Sequence, residues 1–330
     1  MRVTVLGAGS WGTTVASLAA AHNESLLWAR DDEVAAEIRD EHANSRYLAG
    51  YPLPENLDAT SDLEQAAAAA QVLVVGVPSH AFRSTLEAVR PHLNPWIPVV
   101  SLTKGLEQDS LMRMTQVIKD VLPGHPAAAL TGPNLAKEIM AGQAAASVVA
   151  TEDLEVAAAL QRVFMRGLFR VYINHDVIGC EMGGALKNVI AISAGMAQGL
   201  GVGDNTRSAV ITRGLAELSR LGQAMGGEAA TFAGLTGLGD LVATCVSPQS
   251  RNRYVGEQLG EGRTLEDILE EMNMVAEGVK TAGSVMALAE QHGVDLPICR
   301  QVHRVVLGEI SGLEAYTGLR LRAGHEAEPG

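Results

Sequence analysis

The chain has 330 residues, 47% apolar and 19% charged, long enough for two domains that each bury a core. A formal net charge of −13 argues against nucleic acid or an anionic membrane as partner, since an acidic surface attracts neither. A small anionic substrate stays open, provided arginines and lysines gather locally. Three cysteines, Cys180, Cys245 and Cys299, fit neither zinc-ligand nor disulfide-framework spacing, so reduced thiols and no metal are expected. A strand pattern beginning at Arg2 leaves no room for a signal peptide, and no uninterrupted apolar run approaches the ~18 residues of a membrane span. A cytoplasmic protein without membrane insertion is expected.

Residues 3–6 have strand character and run into Gly7-Ala8-Gly9-Ser10-Trp11-Gly12, followed by an alanine-rich helical pattern to about residue 21. In a dinucleotide-binding turn Gly7 permits the sharp reversal, Gly9 lets backbone approach a pyrophosphate, and Gly12 lets helix and strand pack closely. Free N–H groups and the dipole at the helix start favour the anion. Further strands are expected at 25–29, 71–77, 97–102, 127–131 and 145–150. Helical patterns at 31–41, 62–69, 80–90, 110–121 and 133–140 lie between them, and a helix at 154–164 and a strand at 169–173 finish the domain. This alternation, with strands of near-continuous Val, Ile, Leu and Ala, predicts a parallel sheet covered on both faces. Residues 47–57, with Pro52 and Pro54, read as a surface loop.

From about Val177 the period is helical, at 181–198, 205–222, 228–232, 253–259, 265–272, 282–292 and 298–307, with glycine-rich turns at 199–203 and 235–240. The expected fold class is therefore α/β. A Rossmann-type, doubly wound parallel sheet in residues 1–176 precedes an all-α domain in 177–330, whose tail from about 324 is frayed.

Ligands of open α/β sheets bind outside the carboxyl ends of the strands. Past the second strand stand Arg30 and Asp31. An acidic residue there would hold a ribose 2′-hydroxyl, whereas Arg30 would meet a 2′-phosphate and leave Asp31 as a helix N-cap. The cofactor is thus NADP(H) or NAD(H), with Arg30 leaning toward NADP(H). Past the fourth comes Thr103-Lys104-Gly105, and past the fifth Thr131-Gly132-Pro133-Asn134, a turn into a helix with free N–H groups.

In the second domain, Gly183 and Gly184 precede Lys187 by one turn and share its face. Each glycine costs about 1 kcal/mol against alanine in a helix, so a close approach by a cofactor or another helix is implied. Leu186, Val189, Ile190 and Ile192 make this helix apolar nearly all round, and a buried lysine is rare unless paired or functional. Farther on, Asp240 ends a glycine turn, and Ser250 reads as the N-cap of a helix carrying Arg251 and Asn252 in its first turn. Arginine opposes the dipole there unless an anion such as a phosphate ester binds.

Taken in order, Gly-Ala-Gly-Ser-Trp-Gly, Val-Pro-Ser-His, Thr-Lys-Gly-Leu-Glu, Gly-Pro-x-x-Ala-x-Glu, Gly-Gly-Ala-Leu-Lys-Asn-Val, Gly-Leu-Gly-Asp-Leu and Ser-Arg-Asn-Arg resemble the bacterial NAD(P)-dependent glycerol-3-phosphate dehydrogenases from Val3 to about Leu307. The resemblance implies reversible reduction of dihydroxyacetone phosphate to sn-glycerol 3-phosphate for glycerophospholipid synthesis. It implies cofactor contacts from Ser10, Trp11, Arg30, Lys104, Ala136, Arg251, Val275 and Glu277. It implies substrate contacts from Lys104, Gly132, Asn134, Lys187, Asp240, Ser250, Arg251 and Asn252, with Lys187 the proton donor or acceptor and Asp240 orienting the lysine or a hydroxyl. The family usually carries Thr or Ser where this chain has Asn134, which can still hydrogen-bond. A phosphorylated triose is the expected partner, and the apolar helical domain suggests a homodimer. Two rivals stand beside this reading: a β-hydroxyacid or sugar-acid dehydrogenase of the same architecture, and a non-catalytic NADP(H)-sensing protein. The Ser-Arg-Asn turn argues against the first, and Lys104, Lys187 and Asp240 together argue against the second.

Overall fold

Eight strands form one sheet in the order β3-β2-β1-β4-β5-β6-β7-β8. They are β1 (Arg2–Leu6), β2 (Glu24–Trp28), β3 (Leu57–Thr60), β4 (Val72–Val75), β5 (Val99–Ser101), β6 (Ala127–Thr131), β7 (Ala145–Ala150) and β8 (Phe169–Asn174). The computed structural model describes residues 1–272 and 276–318. Strand alternation gives the sheet two cores. From β4, Val72 and Val74 face one cluster with Val3, Val5 and Val15, while Leu73 and Val75 face the other with Phe82 and Leu86. β1 to β6 are mutually parallel and follow the doubly wound order 3-2-1-4-5-6. β7 reverses, antiparallel to β6, and β8 runs parallel to β7. Helix–strand alternation alone gave no sign of that reversal.

The 47–57 stretch departs from the expected surface loop. Helix Ser45–Leu48 lies at its start, Leu48, Leu53 and Leu57 are buried, and Leu57 opens β3 on the sheet's edge. Two prolines and a four-residue strand with Asp58 pointing outward left too short an apolar run to read.

The chain divides into two units: Met1–Lys104 with Met112–Val177, and Gly105–Leu111 with the chain from Ile178 onward. Leu106 explains why a single cut near residue 177 does not describe the division. It is buried in the helical core with Met182, Leu186 and Ile190.

That helical unit is built around Val177–Gly199. Its length and hydropathy would suit a membrane span, but 89% of the apolar window is buried inside the protein, as in a core helix. Stretch Ala229–Val246 meets the same criterion with 44% buried, and it is broken into helix Ala229–Phe232, a π-helical turn Leu235–Gly239 and helix Asp240–Val246. The sequence pattern gives residues 235–240 as a glycine turn and assigns no helix to the residues after it, where Asp240–Val246 is helical.

Small residues set the packing around the long helix. A Cβ on Gly195 would lie 2.1 Å from the Arg253 carbonyl oxygen, and one on Gly199 2.1 Å from that of Glu257. Reciprocally, Cβ atoms on Gly256 and Gly260 would lie 2.0 and 2.4 Å from the carbonyl oxygens of Ile192 and Met196. Helices Val177–Gly199 and Arg251–Gly260 therefore meet backbone to backbone. Residues 319–330, including the tail expected to fray, and Val275 lie outside the described residues.

Candidate active site

In the sheet unit, the turn after β1 has the geometry its glycines suggest. Gly7 adopts φ +111°, a Cβ on Gly12 would lie 2.0 Å from the Gly7 carbonyl oxygen, and nothing stands within 4 Å of a Cβ on Gly9. Helix Ser10–Ala19 begins there with no side-chain cap and no acidic residue in its first turn. Its first N–H groups are available to an anion. The Ser10 hydroxyl is committed elsewhere, donating to the Tyr47 carbonyl oxygen at 2.8 Å. Trp11 packs edge-on against Phe169, and its buried indole N–H has no protein partner. An open approach over Gly9, an uncapped helix and an orphaned indole donor fit a dinucleotide at this turn.

At the tip of β2, Asp31 is the N-cap of helix Asp32–Glu41, accepting from the Glu33 N–H at 3.0 Å. Arg30 beside it is exposed and makes no hydrogen bond or ion pair among the described residues. Past β5, the Lys104 ammonium donates to the Gly132 carbonyl oxygen at 2.6 Å. Gly132 has φ +132°, which favours glycine, and a Cβ there would press on Ser147. In the same turn Thr131 Oγ1 and both amide atoms of Asn134 are buried without a hydrogen-bond partner. Three orphaned polar atoms in four residues are costly unless a ligand satisfies them. Ala136 opens the short helix Ala136–Met140 that follows. The sheet unit thus gathers Lys104, Gly132 and Asn134 at adjacent strand ends.

The helical unit gathers the remainder. Lys187 is 5% exposed, and its ammonium donates to Asp240 Oδ1 and, at 2.6 Å, to Thr244 Oγ1. The Thr244 hydroxyl donates in turn to the Asp240 carbonyl oxygen at 2.6 Å. Asp240 is itself 1% exposed, so the two charges compensate each other where neither would be tolerated alone. Gly183 makes this pairing possible. A Cβ there would lie 2.5 Å from the Thr236 carbonyl oxygen, so it is the glycine turn carrying Asp240 that Gly183 admits. Cys245, buried and next to Thr244 in sequence, has its thiol pushed up to about 12, chiefly by burial and further by Asp240, with Lys187 opposing.

Ser250 caps helix Arg251–Gly260 by accepting from the Arg253 N–H at 3.2 Å. Arg253 steadies the approach to that cap. Its Nε donates to the Ser247 carbonyl oxygen at 3.0 Å, and its Nη1 bonds Gln198 and Glu257. Arg251 reaches solvent, yet the protein walls around it partly desolvate its guanidinium and pull its pKa below the ordinary value, with Glu277 opposing. Asn252 is buried, donating to Asn188 Oδ1 at 3.0 Å and accepting from the Gly278 N–H at 2.9 Å. The residue after Lys187 is therefore bonded directly to the arginine turn, and that turn to the helix Glu277–His292.

Thr244 and Asn188 belong to this cluster and were not singled out from the sequence. Thr244 stands four residues after Asp240, one helical turn on, which is the signal that would have found it.

Family models for the N-terminus and C-terminus of NAD-dependent glycerol-3-phosphate dehydrogenase match residues 2–157 and 176–317. The chain is 58% identical to the NAD(P)+ glycerol-3-phosphate dehydrogenase 2 of Sphingopyxis alaskensis, over 100% of this chain and 99% of that one. It is 52% identical to the NAD(P)+ glycerol-3-phosphate dehydrogenase 1 of Mycobacterium tuberculosis, over 98% and 96%. The crystal structure of glycerol-3-phosphate dehydrogenase from Coxiella burnetii superposes with a TM-score of 0.92 at 36% identity, over 96% of this chain and 98% of that one. The chain belongs to the family of NAD-dependent glycerol-3-phosphate dehydrogenases.

Proposed function

We propose that this protein reversibly reduces dihydroxyacetone phosphate to sn-glycerol 3-phosphate with NAD(P)H, and that Lys187 handles the proton. The observation that carries this reading is the bond from Asn252 to Asn188, which ties an anion-binding helix start to the residue beside a buried, paired lysine. Arg251 and the first-turn N–H groups of its helix hold the phosphate, and that grip at one end of a small substrate orients the other. The bound nicotinamide supplies the hydride that reaches the substrate's C2. Lys187 donates a hydrogen bond to the carbonyl oxygen and gives up its proton as alkoxide character develops; in the reverse direction it takes the proton back. Asp240 and Thr244 hold the Nζ group in place, and with the ammonium already oriented little reorganisation is left for the reaction itself. Lys104, Gly132 and Asn134 add polar contacts to the substrate from the strand ends, and Gly7, Gly9, Gly12, Ser10, Trp11, Arg30, Ala136, Glu277 and Val275 serve the cofactor.

The reading extends to the setting. Three buried free thiols support a reducing cytoplasm. Leu238, Val242 and Val246, at 40, 41 and 65% exposed, line one helical face and support burial against a second copy of the chain. The product is the glycerol backbone of glycerophospholipids, which places the enzyme ahead of acyl transfer.

The deciding experiment follows NADPH and NADH oxidation with dihydroxyacetone phosphate against a panel of keto acids. Turnover is expected on the triose phosphate alone, and Lys187→Ala is expected to lower it by about 10²–10⁴-fold with NADPH binding retained. Equal turnover on keto acids, or an undiminished Lys187→Ala enzyme, would sink the reading.

A further inference from the structure

The tip of β2 carries an arginine and an aspartate side by side, and these favour opposite cofactors. An acidic group there accepts the ribose 2′-hydroxyl of NAD(H), whereas arginine receives the 2′-phosphate of NADP(H). Asp31 is engaged on both oxygens: Oδ1 accepts from the Glu33 N–H at 3.0 Å, and Oδ2 is ion-paired with Arg46 Nη1 at 2.9 Å. We propose that Arg46 is a specificity residue that neutralises Asp31 and joins Arg30 in a subsite for the 2′-phosphate of NADP(H). This rests on reading the Gly7–Gly12 turn as the dinucleotide site.

Arg46 is tied to that turn by its own short helix, Ser45–Leu48. Asn44 caps this helix and also donates to the Ala8 carbonyl oxygen at 3.0 Å and to Thr13 Oγ1 at 2.9 Å. The Ser10 hydroxyl closes the link by donating to the Tyr47 carbonyl oxygen at 2.8 Å. The segment bearing Arg46 is thus bonded from both ends to the loop that faces a pyrophosphate. Its guanidinium lies 5.7 Å from the Tyr47 ring centroid, a second restraint on its position.

Charge makes this arginine decisive. Asp31, Asp32 and Glu33 follow Arg30 in sequence, and all three are exposed. Without Arg46, one guanidinium would face three carboxylates, which would repel a 2′-phosphate and leave Asp31 Oδ2 free for a hydroxyl. With it, two planar guanidiniums are available, the group best shaped for bidentate contact with phosphate oxygens. Arg46 also remains partly solvent-facing and bonds Asp31 through Nη1, so its other N–H groups can reach a ligand while the ion pair holds.

The test uses two ligands that differ only in the 2′-phosphate, ADP-ribose and 2′-phospho-ADP-ribose, titrated calorimetrically into the full chain. Wild type is expected to bind the phosphorylated ligand more tightly. Arg46→Gln is expected to weaken that ligand about tenfold or more while leaving ADP-ribose within about twofold. Arg46→Lys should recover part of the difference. Asp31→Asn, which keeps an N-cap but frees Arg46, should widen the preference. The ratio of kcat/KM for NADPH over NADH should move in the same directions. If Arg46→Gln weakens both ligands equally, or neither, the proposal is overturned while the dinucleotide turn stands. If wild type binds ADP-ribose as tightly as its phosphorylated form, the subsite does not exist. If neither ligand binds wild type, the reading of the glycine turn falls with it.

Discussion

Thr244 divides its hydroxyl between two tasks, accepting from Lys187 and donating to the Asp240 carbonyl oxygen. It fixes the lysine's direction while Asp240 balances its charge. Thr244→Val keeps the shape but removes one of the two oxygens that receive the ammonium. We expect kcat to fall about tenfold or more with the KM for dihydroxyacetone phosphate little changed, in steady-state assays, because a misdirected lysine serves the developing alkoxide less well. A rise in KM at constant kcat would instead make Thr244 a substrate contact. Lys187 was visible in the sequence because a charged residue in an apolar helix has few bland explanations, and Asp240 because it ends a glycine turn. Thr244 and Asn188 are common helix residues whose roles depend on a neighbour brought from 57 and 64 residues away. The i+4 spacing from Asp240 is the one local cue to Thr244, and Asn188 has none. Gly183 was legible as a close approach, but the sequence left open whether a cofactor or another helix came near. The answer is a neighbouring backbone carbonyl.

Between elements, the organising contact is the glycine-lined crossing of Val177–Gly199 with Arg251–Gly260. Gly195, Gly199, Gly256 and Gly260 repeat at four-residue spacing on each helix, yet the sequence gave no reason to pair the two runs. Gly256→Ala would set a Cβ 2.0 Å from the Ile192 carbonyl oxygen and push the helices apart. The expected cost is about 1–3 kcal/mol in urea melts, with a raised KM for the triose phosphate because the Arg251 turn rides on the displaced helix. Unchanged stability would mean that the crossing is loosely packed.

A second element-level device is Glu217, buried in helix Asp204–Ala224, which accepts the N–H groups of Ile298 at 2.7 Å and Cys299 at 3.1 Å at the start of helix Pro297–Val306. Burial raises its pKa despite those hydrogen bonds. The folded state then binds the proton more readily than the unfolded chain. Stability from this group is accordingly present below the unfolded pKa of about 4.3 and declines as pH rises through the higher folded value. Glu217→Gln should remove that slope, which urea melts across the acidic range would detect; an unaltered slope would assign it to other groups. The parallel core of the sheet was legible from strand composition. β3 was hidden by its brevity, and the reversal at β7 by a connection that carries a helix, Ala136–Met140, as a parallel crossover would.

For the molecule as a whole, the exposed face of Leu238, Val242 and Val246 bears on assembly. If it is covered by a second copy, the native protein should sediment at twice the monomer mass, and Val242→Asp should yield monomers with the fold intact by circular dichroism. A wild-type monomer would leave the face to another purpose. A net charge of −13 leaves an anionic substrate to be held by individual cationic positions. Arg30 with Arg46, and Arg251 with Lys187, are cationic positions on an acidic protein.

Leu106 gives the chain a topology with practical meaning for recombination. Because residues 105–111 are interleaved with the helical unit, the backbone passes between units three times rather than once. A chimera joined at a single point near residue 177 would graft a foreign leucine, or none, into the socket that Met182 and Leu186 line. Exchange between relatives should therefore succeed when the short segment travels with the helical half, and fail when it stays with the sheet. Lys104, the last residue before that passage, stays with the sheet half, where its Gly132 partner also lies.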